Sequence, residues 1–274
     1  MTEPSKAIFR PSRRRGQNFL VDRGIQRRIA ASAALAPGTT VVEIGAGTGN
    51  LTDALIALGL KVFAIEVDNL LSLGLQKRFA GHRLVKIISG DARKMNMSEI
   101  AGGPFHVVAN LPYSVGTRLI VDLLESEHAP RSLTVLLQKE VAEKLIAEPG
   151  RMGLLSVIVQ SHAEVRHLFD VSPNAFRPRP KVTSSLVRIQ PLPPDTLRGV
   201  DLQSRIALAR HGFSQTRKKL RNSLAAGLGR SESEIEQVMH QTRIDPARRP
   251  QTVTLEEWDA LAEAVRTTRN RDPQ

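Results

Sequence analysis

The chain of 274 residues contains no cysteine, one tyrosine and one tryptophan, and only 4% of its residues are aromatic. Without thiols there is no disulfide frame, no Cys-ligated zinc or iron–sulfur cluster and no thiolate nucleophile. The seven histidines, at 82, 106, 128, 162, 167, 211 and 240, never fall in His-Glu-x-x-His spacing, so no metal site is expected. No stretch approaches the roughly 18 apolar residues of a membrane-spanning helix. The opening MTEPSKAIFRPSRRR also lacks the apolar middle of a secretory signal. A soluble, cytoplasmic protein without a membrane partner is therefore expected, with its reactive group supplied by a bound cofactor.

What is present is ordinary globular material, 41% hydrophobic and 24% charged, enough for one large domain or a domain with an appendix. The formal charge of +12 is unevenly spread. Residues 1–30 carry a net +6, 31–130 a net −1, 131–190 a net +4 and 191–274 a net +3. A neutral centre between basic flanks suits a cofactor-binding core surrounded by a phosphate-attracting surface, which makes RNA or DNA the leading partner.

From residue 24 onward, apolar runs and turn residues alternate as strand and helix units. Ile25, Ile29, Ala33 and Leu35 space out a helix ended by Pro37-Gly38, and TVVEIG (40–45) reads as a strand. A helix through Leu51, Leu55 and Leu58, the strand KVFAIE (61–66) and a helix to about Ala80 follow. RLVKIIS (83–89), FHVVAN (105–110) and SLTVLLQ (132–138) are further strands, with a helix near 116–126. Continuously apolar strands separated by helices imply a parallel sheet covered on both faces, an α/β fold of the doubly wound kind. A helix over about 139–147 and the strands EVRHLF (164–169) and KVTSSLVRIQ (181–190) come next, around the loop SPNAFRPRP. PLPPD (191–195) reads as a linker, so a catalytic domain over 1–194, with a basic arm over 1–21, and a small all-helical domain over 195–274 are expected.

The first strand runs into Glu43-Ile44-Gly45-Ala46-Gly47-Thr48-Gly49, and the second ends at Glu66, with Asp68 two residues on. Glycines at such a turn let a ligand approach the backbone, and a carboxylate at the tip of the next strand can take both ribose hydroxyls. A dinucleotide fingerprint reads G-x-G-x-x-G. Here the third glycine comes one residue early and Asn50 holds its place, which favours S-adenosylmethionine, a cofactor with no pyrophosphate to cradle. Asp91, just past the third strand, is placed to accept from the adenine amino group.

Asn110-Leu111-Pro112-Tyr113 ends the fourth strand and contains the sole tyrosine. The arrangement suits methylation of an exocyclic amine, whose lone pair is delocalised into its ring. If the Asn110 side-chain oxygen and the Leu111 carbonyl, held by Pro112, accept both N–H bonds, the nitrogen pyramidalises and its lone pair becomes available. Tyr113 would stack on the flipped-out base, a contact of roughly 1 to 3 kcal/mol. Catalysis would rest on positioning and electrostatics, with no strong general base.

Together these residues resemble the ribosomal RNA adenine N6,N6-dimethyltransferase family, in its small-subunit branch. The resemblance covers nearly the whole chain: GQNFL (16–20), EIGAGTGNLT (43–52), IEVD (65–68), GDA (90–92), NLPY (110–113), LQKEVAEKL (137–145), FRPRPKVTSSLVR (176–188) and TRKKLRNSL (216–224). It implies a Rossmann-like class I S-adenosylmethionine-dependent methyltransferase sheet with a C-terminal helical domain. It further implies that Asn18 and Leu20 close over the methionine end of the cofactor, that Gly45 and Gly47 touch it, that Glu66 holds the ribose and Asp91 the adenine, and that Asn110 contacts cofactor and target amine. Phe176 would lie against the base. Arg177, Arg179 and Lys181, Arg13 to Arg15, and an Arg217, Lys218, Arg221 helix face are candidate RNA phosphate contacts. The chain departs from the family's usual residues at Ala46, Ala109, Val115-Gly116-Thr117 and Leu154, the last near the region expected to face RNA.

The activity implied is transfer of two methyl groups to N6 of each of two adjacent adenosines in the 3′-terminal hairpin loop of small-subunit (16S) rRNA, on a pre-assembled 30S subunit, by a monomer. Three alternatives stand beside it: a large-subunit (23S) adenine dimethylase of the macrolide-resistance type, a non-catalytic RNA-binding assembly or transcription factor on the same fold, and a nicotinamide oxidoreductase.

Overall fold

The computed structural model describes residues 18–112, 116–197 and 199–269. The elements in chain order are β1 (Phe19–Leu20), α1 (Arg23–Ser32), β2 (Thr40–Ile44), α2 (Asn50–Ile56), β3 (Lys61–Glu66), α3 (Asn69–Arg78), β4 (Val85–Ser89), α4 (Met97–Ala101), β5 (His106–Asn110), α5 (Gly116–Leu124), β6 (Leu133–Gln138), α6 (Lys139–Leu145), α7 (Leu154–His162), β7 (Ala163–Val171), β8 (Phe176–Arg177), β9 (Ser184–Pro191), α8 (Leu202–Gly212), α9 (Leu220–Leu228), α10 (Glu232–Gln241) and α11 (Leu255–Arg269). Asp22 and Asp68 cap α1 and α3 by accepting from Ile25 N (2.9 Å) and Leu70 N (3.0 Å), as expected of short polar side chains before a helix.

Seven strands form one sheet in the order β4-β3-β2-β5-β6-β9-β7. The five from β4 to β6 are parallel, and β9 runs antiparallel to β6. Strands buried on both faces need no polar face, which is why β2, β5 and β6 are almost continuously apolar. From β2 the chain builds outward through β3 to β4, then returns to lay β5 against the other side of β2 and continues to β6. The order reverses between β2 and β5. In open α/β sheets a ligand crevice opens at such a reversal, outside the carboxyl ends of the strands. The carboxyl ends here are Ile44, followed by the glycine turn, and Asn110.

The chain divides into two compact units. One runs to Ala142 and resumes over Arg166–Gln190; the other joins Glu143–Val165 to the described residues from Pro191 on. The division at 194/195 expected from the PLPPD linker is thus incomplete, because a segment read as part of the sheet domain packs with the helices. That segment holds α7, which the sequence reading missed. LLSVIVQSH is a short apolar run without amphipathic spacing, and such a run does not declare itself as helix or strand. Val157 and Met152 join Leu208, Leu220, Leu224, Ile235, Met239 and the fully buried Trp258 in the core of the helical unit. Leu154 is half-buried and packs against the same core. Helix α1 also ends sooner than Pro37-Gly38 suggests, since Ala34 already adopts a left-handed φ of 51°.

Candidate active site

The glycine turn is shaped by two close approaches. Gly49, at φ 79°, starts α2, and a Cβ there would lie 2.7 Å from the Leu75 side chain. Gly47, at φ 58°, faces the ring of Phe19, which a Cβ would meet at 3.0 Å. Only glycine combines that conformation with that proximity. Across the reversal point, a Cβ on Gly45 would stand 3.8 Å from both the Asn110 carbonyl oxygen and Pro112 Cδ, so the turn and the Asn-Leu-Pro strand end line one crevice.

Glu66 is buried at the end of β3 and fixes the turn. Its Oε2 accepts from Gly47 N–H (2.8 Å) and its Oε1 from Asp68 N–H (2.9 Å). A carboxylate offers about four acceptor sites, so one on each oxygen is left, a set that matches a pair of vicinal hydroxyls.

Asn110 closes β5 in register with Leu136 of β6. Its Nδ2 donates to the Asn18 carbonyl at 3.3 Å. Because a carbonyl can only accept, this bond fixes which end of the amide faces the strap and leaves Oδ1 as an acceptor without a hydrogen-bond donor among the described residues. Leu111 is buried, with its N–H donating to Leu136 O (3.2 Å), and the Pro112 carbonyl accepts from Gly116 N–H (3.0 Å) where α5 begins. Tyr113 and Val115 lie outside the described residues, as do Arg13 to Arg15.

The segment Asn18–Asp22 lies over the glycine turn as a strap. Strand β1 pairs antiparallel with β8, placing Leu20 opposite Phe176 and Phe19 opposite Arg177. Leu20 is buried, and its carbonyl accepts from Gln26 Nε2 (2.7 Å) and Asn50 Nδ2 (3.3 Å). Phe176 has no solvent exposure and is part of the sheet unit's core. Its pairing with Leu20 turns the ring inward, and its part is to seat the strap.

Asp91 stands just past β4, caps the turn that follows, and is gripped by Arg93. Oδ1 accepts from Arg93 N and Nε, both at 3.0 Å, and Oδ2 from Nη2 at 2.6 Å. These bonds hold the carboxyl down at about 2, so it is ionised across the working pH range. Oδ2 also accepts from Arg93 Nε at 3.2 Å, so each oxygen accepts twice from Arg93 and an amine reaches Asp91 only by displacing that exposed side chain.

The basic residues separate into two groups. Arg177, Arg179, Lys181, Arg217 and Lys218 are exposed. Arg221 instead forms ion pairs with Glu236 (3.2 Å) and Glu232 (3.6 Å) of α10. The expected helix face over Arg217, Lys218 and Arg221 does not exist as such, because α9 begins only at Leu220 and the first two residues occupy the turn before it.

A residue that sequence reading passed over is Glu43. It is fully buried on β2, accepts from Thr52 Oγ1 at 2.6 Å, and lines a cavity of about 30 Å³ with Gly45, Asn50 and Asn110. Burial outweighs the Thr52 bond and pushes its carboxyl up to about 8, with Glu66 and Asp53 adding repulsion.

A turn that cradles backbone-bound groups, a carboxylate with two spare acceptors and an amide with its oxygen free form the donor and acceptor set for a nucleoside-bearing cofactor beside a base amine. The family model for ribosomal RNA adenine dimethylase matches residues 8–262. The chain belongs to the ribosomal RNA adenine dimethylase family. Within it, the chain is 40% identical over 260 residues to ribosomal RNA small subunit methyltransferase A of Aromatoleum aromaticum, covering 93% of this chain and 94% of the relative. It is 38% identical over 248 residues to the protein of that name from Dehalococcoides mccartyi, covering 90% and 85%. The crystal structure of the 23S rRNA methyltransferase ErmE superposes with a TM-score of 0.72 at 27% identity, covering 91% of this chain and all of that one. The dimethylase family and the class I methyltransferase fold agree with what the motifs imply.

The raised Glu43 carboxyl has a measurable consequence. The folded protein keeps a proton that the unfolded chain, with an ordinary value near 4.5, releases. Stability contributed by neutral Glu43 is therefore complete below about pH 4.5 and is lost as pH rises toward 8. Urea denaturation at pH 5.5 and pH 8 should show wild type losing more stability than Glu43→Gln over that interval. Parallel curves for the two proteins would show that Glu43 is charged when folded.

Proposed function

We propose that this protein transfers methyl groups from S-adenosylmethionine to N6 of adenosines in small-subunit rRNA, dimethylating two adjacent adenosines of the 3′-terminal hairpin loop during cytoplasmic assembly of the 30S subunit. The observation that carries the chemistry is the Asn110 amide at the tip of β5, with its nitrogen tied to Asn18 O and its oxygen without a donor among the described residues. The choice of subunit is supported by relatives named for the small subunit at 38% and 40% identity, against 27% for the 23S enzyme.

S-adenosylmethionine, when bound, supplies a methyl group on a positively charged sulfur. Glu66 would hold its ribose and Asp91 its adenine amine, with Gly45 and Gly47 giving it backbone to lie against and the Asn18–Leu20 strap covering it. Asn110 Oδ1 and the Leu111 carbonyl would then accept from the two N6 hydrogens of the target. Accepting both hydrogens draws the lone pair out of conjugation and directs it away from the acceptors. A monomethylated amine keeps one N–H for this grip, which permits a second transfer. The proton lost after each transfer goes to solvent, since the nitrogen is acidic once alkylated and no buried base is needed. Tyr113 is the proposed stacking partner of the flipped base.

Incubation with labelled S-adenosylmethionine and, separately, unmodified small subunits, unmodified large subunits and naked RNA, followed by mapping of the label, tests the reading. Label on adjacent adenosines of the small subunit is expected; label on the large subunit would favour the resistance-type activity, and cofactor binding without transfer an assembly factor.

Electrostatics supply a second test. Arg217→Ala and Lys218→Ala should each reduce the slope of log affinity against log salt for small-subunit RNA by about 0.7 to 0.9. Arg221→Ala should leave that slope unchanged and lower the stability of the helical unit. Equal loss of slope at all three positions would return Arg221 to the RNA-binding surface.

A further inference from the structure

Asp91 is the carboxylate proposed for the cofactor's adenine amine, and one residue of the chain already occupies it. The Arg93 backbone N–H and Nε both reach Oδ1 at 3.0 Å, and Nε and Nη2 reach Oδ2 at 3.2 and 2.6 Å. A carboxylate offers about four acceptor positions, so none is left for an amine while this grip lasts. All but one of these bonds come from the side chain. The exception is the backbone N–H, which belongs to the turn that Asp91 caps and stays in place when the guanidinium leaves. Departure of the side chain therefore frees Oδ2 while the carboxyl keeps its orientation.

The grip is of a kind that yields. The Arg93 side chain is 51% exposed, and an ion pair at the surface is weak because water and salt compete for both charges. Arg93 also borders a groove of about 310 Å³. Met97, Phe105, Leu119 and Leu123 give this groove an apolar floor, and Asp122 and Glu127 stand among its lining residues. Asp122 is engaged by Arg118 at 2.8 Å, whereas Glu127 is exposed and has no ion-pair partner among the described residues. The guanidinium thus has a second carboxylate to turn to, over apolar side chains that its aliphatic stem can cover.

We propose that Arg93 is an internal competitor for the adenine position: it occupies Asp91 until the cofactor's exocyclic amine displaces it, and it then turns into the neighbouring groove toward Glu127. The proposal rests on the reading of Asp91 as the adenine acceptor. Arg93 touches no reacting atom, so it acts on binding and selection alone. A base that carries an oxo group in place of the amine has no donor to offer Asp91 and leaves Arg93 where it is. An amine replaces the bonds that Asp91 gives up, at the cost of one exposed ion pair, and apparent affinity falls only by the share of protein in which Arg93 holds Asp91.

Calorimetric titration of the full chain with S-adenosylhomocysteine, the demethylated cofactor, compares wild type, Arg93→Ala, Glu127→Gln and the double variant. Arg93→Ala should bind about 2- to 5-fold more tightly than wild type, the range that one exposed ion pair supplies. That gain should shrink as salt rises from about 0.05 M to about 0.5 M, because screening weakens the competing pair. Glu127→Gln should weaken binding up to about 2-fold while Arg93 is present and change nothing in Arg93→Ala, a coupling that a structural role for either residue would not produce. Unaltered or weaker binding by Arg93→Ala would overturn the competition, and an equal effect of Glu127→Gln with and without Arg93 would overturn the groove as its second resting place. Asp91→Ala, made in the Arg93→Ala background, tests the underlying reading separately. Loss of affinity is expected there; unchanged affinity would show that Asp91 does not hold the adenine and would overturn the site reading together with the proposal.

Discussion

A side-chain amide has a donor end and an acceptor end, and Asn110 can serve a base amine only if its donor end is turned elsewhere. The Asn18 carbonyl does this, across 92 residues of sequence. The remainder of the sheet unit can be understood as the means of bringing those two groups together. The reversal of strand order sets the end of β5 beside the glycine turn, Glu66 pins that turn through Gly47, and the pairing of β1 with β8 holds the strap at the height where Asn18 O meets Asn110. Loss of the strap would free the amide to rotate, and its oxygen would no longer be presented reliably.

The site contains little acid–base machinery, and the chemistry asks for little. Asp91 is kept charged by Arg93, and Glu43 is kept neutral by burial, so these two carboxyls of the sheet unit sit in opposite states. Positioned acceptors in a crevice that excludes water can do most of the work of such a transfer, and the absence of cysteine from the chain removes no group this mechanism uses.

Much of this was legible in the sequence. Continuously apolar runs announced buried parallel strands, and the glycine turn and Glu66 stood out at the strand ends beside the point where the strand order reverses. What escaped were relations between distant segments. Nothing local in QNFL reveals that its carbonyls bind Asn50, Gln26 and Asn110. Nothing local around Phe176 announces that it pairs with Leu20 and is buried in the core. Arg221 looked like one of a basic cluster with Arg217 and Lys218 until α10 supplied Glu232 and Glu236. The helix α7 was hidden by its uniform hydrophobicity, since an element buried on most sides shows no period to read.

The central claim is that the Asn110 oxygen grips the target nitrogen through its hydrogen. Single-turnover transfer to unmodified small subunits, at saturating cofactor, compares Asn110→Ala with Asn110→Asp most directly. Alanine, with no acceptor, should slow the step by roughly 100-fold or more, the scale seen when one oriented polar group is removed from a reacting centre. Aspartate keeps its oxygens and should retain the larger share of the rate. An alanine variant near wild-type speed, or one faster than aspartate, would contradict the account.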